Sequence, residues 1–288
     1  MRRLLSAILT IATAVPLLAA QQPLFRSGVD VVRIDVSVMK GLAPVSGLTV
    51  DNFVVTDNGV NQRLESVTLD RVPLSLMMVF DTSGSLVGDP LAGLVAAGQD
   101  LVASLRPDDS AALMTFSEPI RLPVPMATDR APLVKQLNAL RTNGATTLND
   151  ALFLALQLRA TDGGASRPVA LVFSDGQDTS SWLSSAQAIE AVRRSGTVIH
   201  VVELSAMLRG TPFANDVADA GGGRVWSATS PRALRELFGK VLEELRARYL
   251  LTYSPAGITQ DGWHDVKVTL KGARGDVTAR PGYFANPR

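Results

Sequence analysis

Between residues 73 and 248, short and nearly continuous apolar runs alternate with longer segments whose apolar residues recur at helical spacing. This alternation constrains the fold more than any other feature. A run covered on both faces is a strand of a parallel sheet, and parallel neighbours need crossovers between them. Residues 74–80, 111–116, 169–173 and 198–204 are such runs, with a last short one at 224–227. Helices between them are marked by Leu91, Leu94, Val95, Leu101, Val102 and Leu105; by Leu133, Leu137 and Leu140; by Leu148, Ala151, Leu152, Ala155 and Leu156; and by Leu234, Leu237, Phe238, Val241, Leu242 and Leu245. Asp89-Pro90 and Ser230-Pro231 open helices, and Ser184 with Gln187 reads as a capping box. Pro123 and Pro125 confine residues 120–126 to a sheet edge. The expectation is an α/β domain over 73–248: a doubly wound, mostly parallel sheet with helices on both faces.

The flanks have period two instead. Val32, Ile34, Val36 and Val38 alternate with Arg33, Asp35 and Ser37, and residues 53–55 and 64–69 read as two strands around Asn58-Gly59. Strands return at 249–253, 266–270 and 277–284. Each flank alone is small for a core of its own. Residues 21–72 and 249–288 are therefore expected to pack together as a small β-sandwich, with the α/β domain inserted between them.

Net charge is +1, from 28 basic and 27 acidic residues, with no long basic run, so a nucleic-acid partner is not expected. The absence of cysteine removes disulfides, thiolate metal sites and cysteine nucleophiles together. Arg2 and Arg3 precede an apolar run at 4–20, which ends in small residues before Gln21 and Gln22. This order describes a signal peptide over residues 1–20, cut near Ala20. The alternative is a retained anchor, but the run is about 17 residues long, at the lower end of spanning length, and Pro16 interrupts it. No later segment approaches spanning length, so no membrane span is expected after signal removal. An exported, cysteine-free chain suits a bacterial periplasm or exterior.

In an open parallel sheet, ligands bind beyond the carboxyl ends of the strands. Oxygen-bearing side chains gather there in three segments. Asp81, Ser83 and Ser85 follow the first buried strand; Asp175 follows another, within Phe173-Ser174-Asp175-Gly176; and Thr146 lies in Asn143-Gly144-Ala145-Thr146-Thr147 at a helix start. Two carboxylates and three hydroxyls suit a hard divalent cation, which takes about six oxygen ligands. The plainer reading makes the serines a solvated, capping turn, with Thr147 and Asn149 available to cap beside Thr146. Asp178, Thr179 and Trp182 either rim the site or pack their own loop. His200 and His264 read as satisfied histidines rather than ligands.

Asp-x-Ser-x-Ser, Gly-x-Thr and Ser-Asp-Gly, in that order and each after the expected element, resemble the von Willebrand factor type A family over about residues 73–248. In that family these segments form the metal-ion-dependent adhesion site. The resemblance implies a Rossmann-like fold and a metal held by Asp81, Ser83, Ser85, Thr146 and Asp175, with Mg²⁺ first and Mn²⁺ or Ca²⁺ as alternatives. It also implies a protein partner that supplies an acidic side chain to the metal. The stretch Tyr249-Leu250-Leu251-Thr252-Tyr253-Ser254-Pro255 resembles the segment after the last helix in bacterial secreted proteins carrying this domain.

The function expected is that of an exported adhesion or interaction module without enzymatic activity. Alternatives are an assembly or chaperone-like component of an envelope complex and, third, a metal-dependent hydrolase. A phosphatase of the haloacid dehalogenase type needs a second aspartate where Ser83 stands, and neither a Gly-x-Ser-x-Gly elbow nor a phosphate-cradling loop occurs.

Overall fold

The computed structural model describes residues 31–69, 72–158, 166–175, 178–204, 210–258 and 261–285. The expected signal segment, the mature start at Gln21 and Gly176 lie outside the described residues. The chain opens with β1 (Val32–Lys40), β2 (Ala43–Pro44), β3 (Phe53–Asp57), β4 (Val60–Gln62) and β5 (Ser66–Leu69). The central part runs β6 (Leu74–Asp81), α1 (Asp89–Ser104), β7 (Ser110–Phe116), β8 (Arg121–Ala127), α2 (Ala131–Asn138), α3 (Leu148–Gln157), β9 (Arg167–Ser174), α4 (Ser185–Ser195), β10 (Val198–Leu204), α5 (Pro212–Gly221), β11 (Val225–Ala228) and α6 (Ala233–Arg246). It is followed by β12 (Tyr249–Tyr253), β13 (Gly262–Leu270), β14 (Asp276–Ala279) and β15 (Gly282–Ala285).

The central sheet has the order β11-β10-β9-β6-β7-β8. All its pairings are parallel except β7 with β8, because the short link over 117–120 has no room for a crossover and closes as a hairpin. β8, carrying Pro123 and Pro125, is the edge. Every residue of the central strand β6 is buried. Leu76, Met78 and Phe80 face one layer with Leu94 and Leu101 of α1, Leu133 of α2, and Phe238 and Val241 of α6. Met77 and Val79 face the other with Leu152 of α3, Val192 of α4 and Val217 of α5. Each such large apolar side chain, fully buried, contributes about 1.5–3 kcal/mol relative to exposure. This is the doubly wound α/β architecture that the periodicity predicts.

Helix starts differ in detail. The N-cap of α1 is Gly88 at φ +84°, with Asp89 and Pro90 in the first turn, where a carboxylate still meets the positive end of the helix. Ser230-Pro231 forms a turn ahead of α6, with Ala233 N–H donating to the Ser230 carbonyl at 3.0 Å. The capping box of α4 is present, with Ser184 N–H donating to Gln187 Oε1 at 3.0 Å and Gln187 N–H to Ser184 Oγ at 3.4 Å.

The flanks interleave. One sheet runs β14-β1-β12-β5 with β2 on β1, the other β15-β13-β3-β4, so strands from both ends of the chain pair in each. A shared core joins Ile34, Val36, Phe53 and Val55 to Tyr249, Leu251, Tyr253 and Val266. Asn58 (φ +47°) and Gly59 (φ +80°) make the hairpin turn between β3 and β4. The strand expected over 64–69 is not the hairpin partner of β3: β4, at 60–62, takes that place, and the chain crosses at 63–65 to put β5 against β12 in the other sheet. β1 is buried beyond simple alternation, since Ser37 and Met39 are covered and Met39 joins the core of the α/β domain.

A buried ionic cluster joins sandwich and α/β domain. Arg248 donates from Nη1 to Glu244 Oε1 at 2.8 Å, and from Nη2 to the carbonyls of Gly222 at 2.7 Å and Asp35 at 3.2 Å. Trp226 Nε1–H donates to His200 Nδ1 at 3.0 Å, which leaves the ring proton on Nε2, 2.9 Å from Glu244 Oε2. Burial pushes the Glu244 carboxyl up, but Arg248 and His200 together hold it well below the usual carboxylate range. Arg167 completes the junction, with Nε 2.6 Å from Asp35 and Nη1 donating to the Leu245 carbonyl at 3.1 Å. His264 lies buried in the sandwich with Nδ1 2.8 Å from Asp57, so both histidines are structural.

Candidate metal centre

β6 and β9 are adjacent and parallel, so their carboxyl ends deliver Asp81 and Ser174-Asp175 side by side. Asp81 is fully buried. Its Oδ1 accepts from Ser83 N–H at 2.8 Å and its Oδ2 from Ser174 Oγ at 2.8 Å. Ser85 Oγ donates to Asp175 Oδ1 at 3.1 Å and shares a 3.0 Å hydrogen bond with Ser83 Oγ. Either hydroxyl can donate in that pair, since each also neighbours a carboxylate, Asp81 for Ser83 and Asp175 for Ser85. Asp81, Ser83, Ser85 and Asp175 thus form one connected group.

Thr146 reaches the group through backbone. Gly84 N–H donates to the Gly144 carbonyl at 3.1 Å, and Asn143 N–H to the Thr82 carbonyl at 2.9 Å. Gly144 sits at φ +69°, where a side chain is strained, and a Cβ there would lie 3.2 Å from Glu118. The capping question at α3 resolves against the threonines. Asn149 N–H donates to Asp178 Oδ2 at 2.9 Å and Asp150 N–H to Ser181 Oγ at 3.1 Å, while Thr147 Oγ1 donates to the Ser117 carbonyl at 2.6 Å. Asp178 is therefore a cap and brace, accepting also from Ser181 N–H at 3.0 Å. The Thr146 hydroxyl has no hydrogen bond among the described residues, while its backbone is held by Thr179 and Ser180, whose N–H groups donate to its carbonyl at 2.9 and 3.1 Å.

The electrostatics fit a cation. Burial raises the Asp81 carboxyl, the hydrogen bonds from Ser83 and Ser174 oppose that, and the nearby Asp175 adds to the rise, leaving it above the ordinary value. Neither carboxylate has an ion-pair partner among the described residues. No cluster of three or more His, Cys, Asp and Glu side chains suited to a metal occurs among them either, so a cation here depends on hydroxyls. Two carboxylates and neutral hydroxyls are the donor chemistry of hard cations. The residue that sequence reasoning passed over is Ser174, which fixes Asp81; its signal was its place before Asp175 at the strand end.

Residues 76–177 match the model of the von Willebrand factor type A domain. The chain carries a von Willebrand factor type A domain. A von Willebrand factor type A protein from Catenulispora acidiphila shares the fold with a TM-score of 0.56, at 15% identity over 84% of this chain and 76% of that one. Proximal thread matrix protein 1 from the mussel byssus, with a zinc-occupied adhesion-site motif, gives 0.53 at 17% identity, covering 67% of this chain and 50% of its own. The von Willebrand factor domain of a type V pilus tip protein from Porphyromonas gingivalis gives 0.51 at 16% identity, covering 60% and 95%. At these identities the structural likeness shows a common fold and nothing more. An uncharacterised Synechocystis protein is 30% identical over 89 residues, which are 30% of this chain and 21% of that relative, so the chain spans about a fifth of its length. Among the described residues no helix is long and apolar enough to cross a membrane.

Proposed function

We propose that this type A domain is the binding module of an exported bacterial protein. It takes a divalent cation, Mg²⁺ first, at Asp81, Ser83, Ser85, Thr146 and Asp175, and through it captures an acidic side chain of a protein partner. The observation that carries the reading is a fully buried Asp81, with no ion-pair partner among the described residues, beside Asp175 and a set of hydroxyls at the strand ends. The zinc-occupied motif of the mussel protein and the pilus-tip context of the Porphyromonas domain support it.

In this reading the cation supplies an electropositive centre with a coordination position open to a carboxylate from outside. The protein's own residues do the rest. Asp81 and Asp175 offset the cation's charge, Ser174 and Ser83 N–H hold Asp81 in place, and the Gly84–Gly144 contact sets the Thr146 loop against the serines. Nothing in this arrangement supplies an activated nucleophile, and a module that binds without turnover is the economical account.

The test is partner capture with the immobilised chain in Mg²⁺, in chelator, and with Asp81→Ala in Mg²⁺. The proposal expects partners retained only by the wild type with Mg²⁺. Identical capture under all three conditions contradicts it.

A further inference from the structure

Among the described residues, the two most exposed large apolar side chains are Trp182, 96% exposed, and Val87, 67% exposed. Both sit on loops that carry or brace the candidate metal donors. Val87 is two residues beyond Ser85, and Trp182 is two beyond Ser180, whose N–H donates to the Thr146 carbonyl. An isolated exposed apolar residue is ordinary on a protein surface. What sets these two apart is their place: each lies within a few residues of a segment that carries or braces a candidate donor, and each is more exposed than every other large apolar residue described.

The Trp182 backbone is held firmly. Its N–H donates to Asp150 Oδ2 at 2.9 Å, and the next N–H, of Leu183, donates to Asp150 Oδ1 at 2.9 Å. One carboxylate at the start of α3 thus fixes the two residues, while Ser181 is pinned by Asp178. A loop whose purpose was to hide an indole has no need of this bracing, and here the indole remains in solvent. A backbone ordered in advance lowers the entropy lost when the side chain is covered. One turn further along α3, on the same helical face as Asp150, Phe153 and Leu154 are also partly exposed. The apolar surface therefore continues away from the centre on the Trp182 side.

We propose that this face docks a protein segment that presents a carboxylate flanked by apolar residues, with Trp182 as the principal apolar anchor and Val87 as the second. The inference rests on the metal-dependent reading above and deepens it. The centre takes the acidic group, and the rim gives the discrimination that a bare carboxylate lacks. Tryptophan is the side chain most enriched among residues that dominate interface energetics. A carboxylate alone, shared by every acidic surface, selects no partner.

The test pans a displayed heptapeptide library against the whole chain in Mg²⁺, with elution by chelator, and measures selected peptides by calorimetry. The expected selection carries an acidic residue with a large apolar residue within a few positions. Trp182→Ala then weakens those peptides by about tenfold or more and Val87→Ser by several-fold, as expected for anchor residues. Mg²⁺ binding, measured without peptide, is unchanged in both variants. Selected peptides with acidic residues but no apolar preference, or undiminished binding by Trp182→Ala, overturn the anchor while leaving the metal reading intact. Peptide binding that survives both chelator and Asp81→Ala overturns the metal reading itself. Failure to select peptides, together with metal- and Trp182-dependent binding on a glycan array, overturns the protein partner in favour of carbohydrate.

Discussion

Arg248→Met perturbs the junction between sandwich and α/β domain at its most buried point. Arg248 and Glu244 are both fully buried, and the guanidinium also satisfies the carbonyls of Gly222 and Asp35. Methionine fills much of the space but leaves the Glu244 carboxylate with only His200 and Ser37 beside it, and removes the donor to the carbonyls of Gly222 and Asp35. Breaking a buried pair in this way costs about 3–5 kcal/mol. For a chain of this size that is a drop in melting temperature of roughly 6–20 °C. The pH dependence identifies the cause. In the wild type the Glu244 carboxyl lies below its ordinary value, so its contribution is complete above about pH 4.5 and is lost only as pH falls through the lowered value. In the variant burial acts without Arg248 and raises the carboxyl, so the ionised form destabilises the fold at neutral pH and protonation relieves it. The melting deficit should therefore be largest near neutrality and narrow on acidification. Arg248→Met with Glu244→Leu removes the stranded charge and should recover most of the loss. Melting within a degree or two of wild type, or no recovery in the double variant, refutes the assignment of this cluster as a charge-balanced junction.

Three further outcomes are expected from the site and the topology. Gly144→Ala places a side chain at φ +69° and within 3.2 Å of Glu118, a strain of about 1–2 kcal/mol; metal titration should show weakened binding with the fold intact by circular dichroism. Asp81→Asn removes a carboxylate whose pKa is raised by burial, so melts in chelator should find the variant more stable at neutral pH, with the advantage vanishing as pH falls below about 3.8; divalent-ion affinity of the wild type should decline on acidification from above the ordinary carboxylate range. Residues 73–248 should fold when expressed alone, less stably because Arg167 loses Asp35, whereas 21–72 should not fold without 249–288, since β1 and β3 take their partners from β12, β13 and β14; a cooperative melt from 21–72 alone contradicts this.

The central sheet was legible because strands covered on both faces are nearly continuous apolar runs, as residues 76–80 of β6 and 169–173 of β9 are. The loops at their carboxyl ends were legible because Asp81, Ser83 and Ser85 follow such a strand directly. The pairing of 60–62 with β3, and of 66–69 with the other sheet, was not, because a strand's choice of sheet is decided by partners nearly two hundred residues away, such as Thr252 against Ser66. Arg248 carries no local signal of burial, and only the approach of β1 makes it the centre of a buried cluster. Trp182 has two readings, rim or loop packing, and the sequence cannot choose between them because exposure depends on whether anything packs over the loop.

Calorimetric titration of Mg²⁺ and Mn²⁺ into the wild type and Asp81→Ala, beside thermal melts in chelator, tests the central claim most directly. Asp81 is a fully buried carboxylate that no neighbouring side chain replaces. The account predicts saturable divalent-ion binding by the wild type, none by Asp81→Ala, and an Asp81→Ala apo fold at least as stable as the wild type, because the lost group is a desolvated charge repelled by Asp175. Ser83→Ala, whose vacated hydroxyl position water can fill, should retain weakened binding. Wild-type affinity in Asp81→Ala contradicts the site and the function built on it.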